Sequence, residues 1–346
     1  MRNNKQDDKM LESMFSELQK SPSAYHPSNF WIELNKFHKK HLSESGFENF
    51  KRTINYHYFS WGVLSIIRHQ MSPIFKEVFR GNLSPFLKSH FDNYSIEGEK
   101  FRRFNPLTAF IYRIYVTCLF EYVVSIDKLN ILNTLEEPLL GNPFVIEYKN
   151  RSISQDLCNS IYEFYSIMDN ITLPKKTKIA DLGAGYGRLG YIFLNAISDS
   201  SYCVIDIPPA LFISQNYLKA IFPKEKIFLF RPFSSFEDVQ QEFESSRIRF
   251  LMPHQLELLP NKYFDLFINI SSLHEMTSNQ ILKYINLINK LCKGYFYTKQ
   301  WLKAQTTDNF HIQEDEYPIL KNWKIITRNS PHPIQKMFFD TLYEIT

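Results

Sequence analysis

Glycine is scarce in this chain, with ten in 346 residues, and cysteine is scarcer, with four. The cysteines (Cys118, Cys158, Cys203 and Cys292) are scattered without a C-x-x-C pair, which excludes a disulfide framework and the common zinc spacings. The segment Met1 to Lys9 is polar and charged rather than apolar, so no signal-peptide pattern precedes them. Together these absences predict a reducing, cytoplasmic setting. No apolar run approaches the ~20 residues that span a bilayer. The nearest, Ile111 to Val124, is interrupted by Arg113 and Glu121. Charge of one sign is also lacking: 40 Lys and Arg against 36 Asp and Glu leave +4. The basic pairs Lys39-Lys40, Arg102-Arg103 and Lys175-Lys176 are too short and too far apart to predict a phosphate-tracking groove. Neither nucleic acid nor a membrane surface is expected as a partner. No compact carboxylate cluster calls for a metal.

Aromatic residues, by contrast, are plentiful, with 31 Phe and 20 Tyr, and should build large buried clusters. The chain is long enough for two folding units. Residues 1–150 read as helices: Asp8 to Leu18, Phe30 to Phe37 and Leu107 to Leu129 carry apolar residues at helical spacing. Pro22, Pro27, Pro73, Pro85 and Pro106 punctuate them. This mainly helical part would be a lid, a substrate-facing layer or a dimerisation surface for a homo-oligomer.

Residues 151–346 read differently. Short apolar runs alternate with amphipathic stretches, which predicts a parallel, doubly wound sheet. The expected strands are Lys178 to Leu182, Tyr202 to Asp206, a third, Phe264 to Ser271, and Tyr295 to Thr298. Ile227 to Phe230 and Ile248 to Met252 compete for the third place, and spacing favours the latter. A helix is expected over Ser278 to Leu291. Trp323 to Thr327 and Met337 to Ile345 suit an antiparallel hairpin at one sheet edge.

Four of the ten glycines fall in eight positions: Gly183, Gly185, Gly187 and Gly190. Glycine allows positive φ and leaves no Cβ, so a ligand can lie against the main chain at this strand-to-helix turn. Gly185-Tyr-Gly187-Arg-Leu-Gly190 also satisfies the dinucleotide pattern G-x-G-x-x-G, a weak match alone. Asp181, before the glycines, would repel a pyrophosphate and suit a cationic ligand.

With Asp181, Gly183, Gly185 and Gly187 as its first motif and Asp206 ending the next strand, the sequence resembles the class I S-adenosylmethionine-dependent methyltransferases. That resemblance implies a Rossmann-like α/β fold with a seven-stranded sheet behind the mainly helical N-terminal domain, and S-adenosyl-L-methionine as cofactor. It implies a cofactor site of Asp181, Gly183, Ala184, Gly185, Gly187, Asp206, Ile207, His254, Gln255 and Asn269, with Asp206 on the ribose hydroxyls. Gln255 stands where family members commonly carry a carboxylate near the adenine. The family's frequent His corresponds to His274, which would take the proton from an acceptor hydroxyl. Glu275 would orient it or approach the acceptor itself.

The stretches Ser154-Gln-Asp-Leu157, Asp206-Ile-Pro-Pro-Ala-Leu211, Pro253-His-Gln-Leu-Glu-Leu-Leu-Pro260, Ser271-Ser-Leu-His-Glu-Met276 and Lys299-Gln-Trp301 are similar to the bacterial sugar O-methyltransferase family. This implies a sugar or glycan acceptor from surface-polysaccharide biosynthesis. Lys299, Gln300 and Trp301 would face it, just beyond the fifth strand. Ser154, Gln155 and Asp156 would start a helix over the cofactor, or simply cap it. The competing readings are a methyltransferase acting on another small molecule, nucleic acid or protein, an NAD-dependent oxidoreductase, and a non-catalytic binding module.

Overall fold

The computed structural model describes residues 5–53, 74, 106–305 and 311–345. Pro73, Pro85 and the Arg102-Arg103 pair lie outside them. The chain divides into two compact units, one of residues 41–166 with 332–336, the other of residues 2–40, 167–331 and 337–346.

In the first unit, the helix Pro106–Ile126 buries Tyr115, Val116, Leu119 and Val123. Its stretch Ala109–Ile126 is, among the described residues, the one long and apolar enough to cross a membrane, and 56% of it is buried. The charges expected to interrupt this run do not break the helix. Arg113 is buried at 6% exposure, and the Tyr148 hydroxyl donates to Glu121 Oε1 at 2.7 Å. Strands β1 (Ile146–Tyr148) and β2 (Arg151–Ile153) form a short antiparallel hairpin. Ser154 caps the helix Gln155–Met168, accepting from the Leu157 amide at 2.9 Å. Its hydroxyl donates in turn to Glu137, which also pairs with the buried Lys51 ammonium.

The second unit is built on an eight-stranded sheet. Its parallel members are β3 (Lys178–Leu182), β4 (Ser201–Ile205), β5 (Ile227–Phe228), β6 (Ile248–Leu251), β7 (Phe264–Ile270) and β8 (Cys292–Trp301). After the short antiparallel pair β9 (Lys303–Gln305) and β10 (His311–Gln313), strands β11 (Lys324–Asn329) and β12 (Phe338–Glu344) add an antiparallel edge. The order is β11-β12-β8-β7-β3-β4-β6-β5. This is the expected Rossmann-like α/β architecture with one correction, eight strands where seven were expected. Both candidates for the third strand form: β6 pairs with β4, and β5 adds a short edge beyond it.

Central strands here are buried on both faces, which is why β7 reads as the nearly continuous apolar run Phe-Asp-Leu-Phe-Ile-Asn-Ile. The helix Ser278–Leu291 follows from its capping box, Thr277 with Gln280, and from Ile281, Tyr284, Ile285, Ile288 and Leu291, which bury one face. Gly190 lets the helix Arg188–Ala196 lie close on β4: a Cβ there would come within 2.9 Å of the Tyr202 ring.

Candidate active site

The parallel strands end at one edge of the sheet, where ligands bind in open α/β folds. The turn leaving β3 holds Gly183, Gly185 and Gly187 at φ of +73°, +59° and +86°. Their surroundings differ. A Cβ on Gly183 would lie 2.3 Å from Ser272 Oγ, whereas a Cβ on Gly185 would meet none of the described residues within 4 Å. Gly183 is therefore a packing glycine, and Gly185 bounds open space. Ala184, between them, is part-exposed and accepts from the Gly187 amide at 3.0 Å.

Asp206 follows β4 and closes this turn from the side. One carboxylate oxygen accepts from the Gly185 amide at 2.8 Å, the other from the Ile207 amide at 2.7 Å. Asp181 lies further down, buried at 3% exposure, and accepts from the Tyr202 hydroxyl at 2.6 Å. Burial pushes the Asp206 carboxyl up to about 7; the two amide bonds oppose this, and the Asp181 charge adds to it.

His274 and Glu275 form a short 3-10 turn after β7. The imidazole is buried at 3% exposure and stacks on Trp301, with ring centroids 5.0 Å apart and planes 22° apart. Its Nδ1 lies 2.8 Å from Gln300 Oε1. Its Nε2 is buried, has no hydrogen-bond partner among the described residues, and lies 3.8 Å from Glu275 Oε1. Burial lowers the ring's pKa to about 4, against the Gln300 bond, which favours the charged form. Glu275 is pushed the other way, to about 8, by burial first and by the Asp206 charge; the bond from Trp31 Nε1, 3.0 Å to Oε2, opposes the rise.

Trp31 was not foreseen. It belongs to an N-terminal strap whose Ser28 hydroxyl donates to the Glu275 carbonyl at 2.8 Å. Gln280 ties the strap down through the His26 carbonyl at 2.7 Å, and the Tyr25 hydroxyl donates to Glu257, which Lys283 pairs at 2.7 Å. No local pattern around Trp31 signals a partner 244 positions away in sequence.

The remaining candidates divide. His254 packs edge-on against Tyr25 and approaches Glu17 at 3.9 Å; burial lowers its pKa. Gln255 is buried, with its carbonyl accepting from the Met252 amide at 2.9 Å and its amide donating to the Arg231 carbonyl at 2.9 Å. It braces the 3-10 turn Pro253–Leu258. Asn269 is fully buried and bonded to Leu182, Ser272, Leu273 and Gln300. Lys299, Gln300 and Trp301 lie within β8 rather than beyond it, because pairing with β12 carries the ladder to Trp301. Lys299 is buried with its ammonium 5.4 Å from the Phe338 ring centre, and Gln300 is wholly enclosed. Trp301 is part-buried, and its enclosed indole N–H has no partner among the described residues. No group of His, Cys, Asp and Glu able to hold a metal ion occurs among the described residues.

No family model and no curated protein matches the sequence. Solved structures do. A SAM-dependent methyltransferase from Aquifex aeolicus is similar at 16% identity over 52% of this chain and 88% of its own, with a TM-score of 0.35. Magnesium protoporphyrin IX methyltransferase from Synechocystis, solved with bound SAM, is similar at 11% identity over 54% and 77%, with a TM-score of 0.37. A Leishmania major SAM-dependent methyltransferase is similar at 14% identity over 55% and 71%, with a TM-score of 0.38. The reaction is therefore read from the site's own residues.

Proposed function

We propose that this chain is an S-adenosylmethionine-dependent O-methyltransferase whose acceptor is a sugar hydroxyl. The observation that carries the reading is the Gly185 turn, which no described side chain fills and which the Asp206 carboxylate backs through the Gly185 amide. Asp206 is bonded to the Gly185 amide, and the charges of Asp181 and Glu275 both interact with it. Carboxylates held this high disfavour a pyrophosphate, whose charge would keep them protonated, and favour a cation, which would draw them to their ionised form. A sulfonium nucleoside carrying an ammonium meets that requirement.

When bound, the cofactor supplies a methyl group already activated by its positive sulfur. Gly185, with the Ala184 main chain beside it, would accommodate its amino-acid end, while Gly183 keeps the turn packed on Ser272. Asp206 keeps lone pairs free beyond its two backbone bonds and would accept both ribose hydroxyls. Ile207, His254 and Gln255 would border the adenine, with Gln255 holding the wall in shape. His274 Nε2, which has no partner among the described residues, would accept the proton of the acceptor hydroxyl. Alignment and exclusion of water would supply most of the acceleration. The sugar acceptor rests on the sequence resemblance at Asp206–Leu211, Pro253–Pro260, Ser271–Met276 and Lys299–Trp301. The part-exposed Trp301 ring is the group best suited to pack on the C–H groups of a polyol. We place the protein in the cytoplasm on the sequence reading.

Calorimetry with S-adenosylmethionine, S-adenosylhomocysteine and NAD tests the cofactor. Transfer of labelled methyl to nucleotide sugars, lipid-linked glycans and polymers tests the acceptor. Binding of NAD in preference to both adenosyl compounds overturns the reading; transfer only to a non-sugar acceptor overturns its finer part.

A further inference from the structure

A histidine can act as a base only through the nitrogen that lacks a proton, and in His274 that choice is made outside the ring. It starts at a backbone carbonyl. The Leu182 oxygen can only accept, so the Asn269 side-chain atom 2.8 Å from it is the amide nitrogen. The Leu273 backbone N–H can only donate, and it points at Asn269 Oδ1 at 3.3 Å. Two backbone groups of fixed polarity thus demand the same orientation of Asn269.

Gln300 inherits its orientation from there. Its amide nitrogen lies 2.6 Å from Asn269 Oδ1 and 3.0 Å from Thr298 Oγ1, which occupies both of its hydrogens. The His274 backbone N–H donates to Gln300 Oε1 at 3.3 Å, a third backbone group agreeing with the assignment. Gln300 Oε1 is therefore an acceptor, and His274 Nδ1, 2.8 Å from it, carries the proton. The lone pair falls on Nε2, which has no partner among the described residues. Stacking on Trp301 holds the ring plane.

We propose that Gln300, oriented by Asn269 from the Leu182 carbonyl, is a positioning residue that holds His274 as the Nδ1–H tautomer with its Nε2 lone pair available. The inference rests on His274 being the base, as read above. It assigns Gln300 to the base rather than to the acceptor, since both ends of its amide are engaged inside the protein. The relay also begins at the root of the glycine turn: Leu182 immediately precedes Gly183, and Asn269 bonds the same Ser272 hydroxyl, at 2.6 Å, that Gly183 packs against. Cofactor turn and base are thus parts of one buried polar network.

The tautomer can be read without substrate. Long-range 15N–1H correlation on the full chain with 15N-labelled histidine, with His274→Asn to assign the signal, should report a protonated Nδ1 and a bare Nε2. Gln300→Leu removes the acceptor and should give a mixture of tautomers. Gln300→Glu keeps an acceptor on Nδ1–H, so it should retain the tautomer and move the ring's titration upward. With a methyl acceptor in hand, Gln300→Leu should lower kcat by about 10²-fold while the Kd for S-adenosylmethionine changes less than about twofold. A wild-type ring protonated on Nε2 overturns the inference, as does a Gln300→Leu protein that keeps the Nδ1–H form alone. Should the leucine variant fail to fold, the wild-type and Gln300→Glu spectra still decide. Absence of S-adenosylmethionine binding by calorimetry would sink the functional reading and leave the tautomer standing, so the two failures are distinguishable.

Discussion

The Gly185 amide donates to the Asp206 carboxylate at 2.8 Å, so the turn after one strand and the residue after its neighbour form a single piece of binding surface. The glycines of that turn do different work, and substitution should separate them. Gly185→Ala places a methyl in open space at φ +59°, a backbone strain of about 1–2 kcal/mol. Thermal melting should therefore fall by only a few degrees, while calorimetry should record about tenfold or greater loss of S-adenosylmethionine affinity. Gly183→Ala drives its methyl to 2.3 Å from Ser272 Oγ and should destabilise the fold itself by a larger margin. Wild-type affinity in Gly185→Ala would remove this turn from the cofactor site.

The apo protein should lose stability as pH rises from about 6.5 to about 8. Asp206 and Glu275 are held at about 7 and about 8 in the fold, above their ordinary values, so the native state keeps protons that the unfolded chain has released. Stability from these groups is complete at acid pH and is lost as pH climbs through those values. His274 acts in the opposite sense. Held at about 4, its stabilising contribution is present above the ordinary histidine pKa and is lost as pH falls towards 4. Above about 6.5 the carboxylates alone contribute. Melting curves across that range should slope downward for wild type and flatten in Asp206→Asn/Glu275→Gln. Equal slopes in the two proteins would mean that neither carboxylate is perturbed as described.

Much of this was legible in the sequence because the chain is poor in glycine: a cluster of four stood out and located the turn, and with it β3 and β4. What failed to show was set by distant pairing. The length of β8 depends on β12, which starts at Phe338 and pairs with Trp301, so Lys299 to Trp301 read as a loop beyond a four-residue strand. Ile227 and Phe228 form an edge strand only because β6 offers them a partner. Gln300 reads as a polar residue at a strand end until Asn269 and His274 are brought to its two ends. Trp31 leaves no trace, because an indole in an amphipathic helix carries no mark of a carboxylate far along the chain.

Cofactor affinity should carry the same titration. A sulfonium favours ionised carboxylates, so its binding releases protons wherever Asp206 and Glu275 are still protonated. Affinity for S-adenosylmethionine should therefore rise from pH 6 to pH 8.5, conditions chosen to bracket about 7 and about 8. S-adenosylhomocysteine lacks the sulfonium charge and should show a shallower rise. Calorimetry in buffers of different ionisation enthalpy reads the proton release directly. Parallel profiles for the two compounds would show that the carboxylates do not sense the sulfur.

Trp31→Phe tests whether the N-terminal strap takes part in the site or only covers it. Phenylalanine keeps a ring among Phe30 and His38 but removes the N–H that donates to Glu275 Oε2 at 3.0 Å. That bond favours the charged carboxylate, so its loss should raise the Glu275 pKa further. A hydrogen bond to a charged group contributes about 1.5–3 kcal/mol, and a mid-range value corresponds to about thirtyfold in affinity. The loss of S-adenosylmethionine binding should be marked near pH 7 and shrink at higher pH, where Glu275 ionises without help. A merely structural role would weaken binding equally at every pH. The expected result is a convergence of the wild-type and Trp31→Phe affinities as pH rises, with melting temperatures that differ little, because the strap keeps its Tyr25–Glu257 and Gln280–His26 bonds.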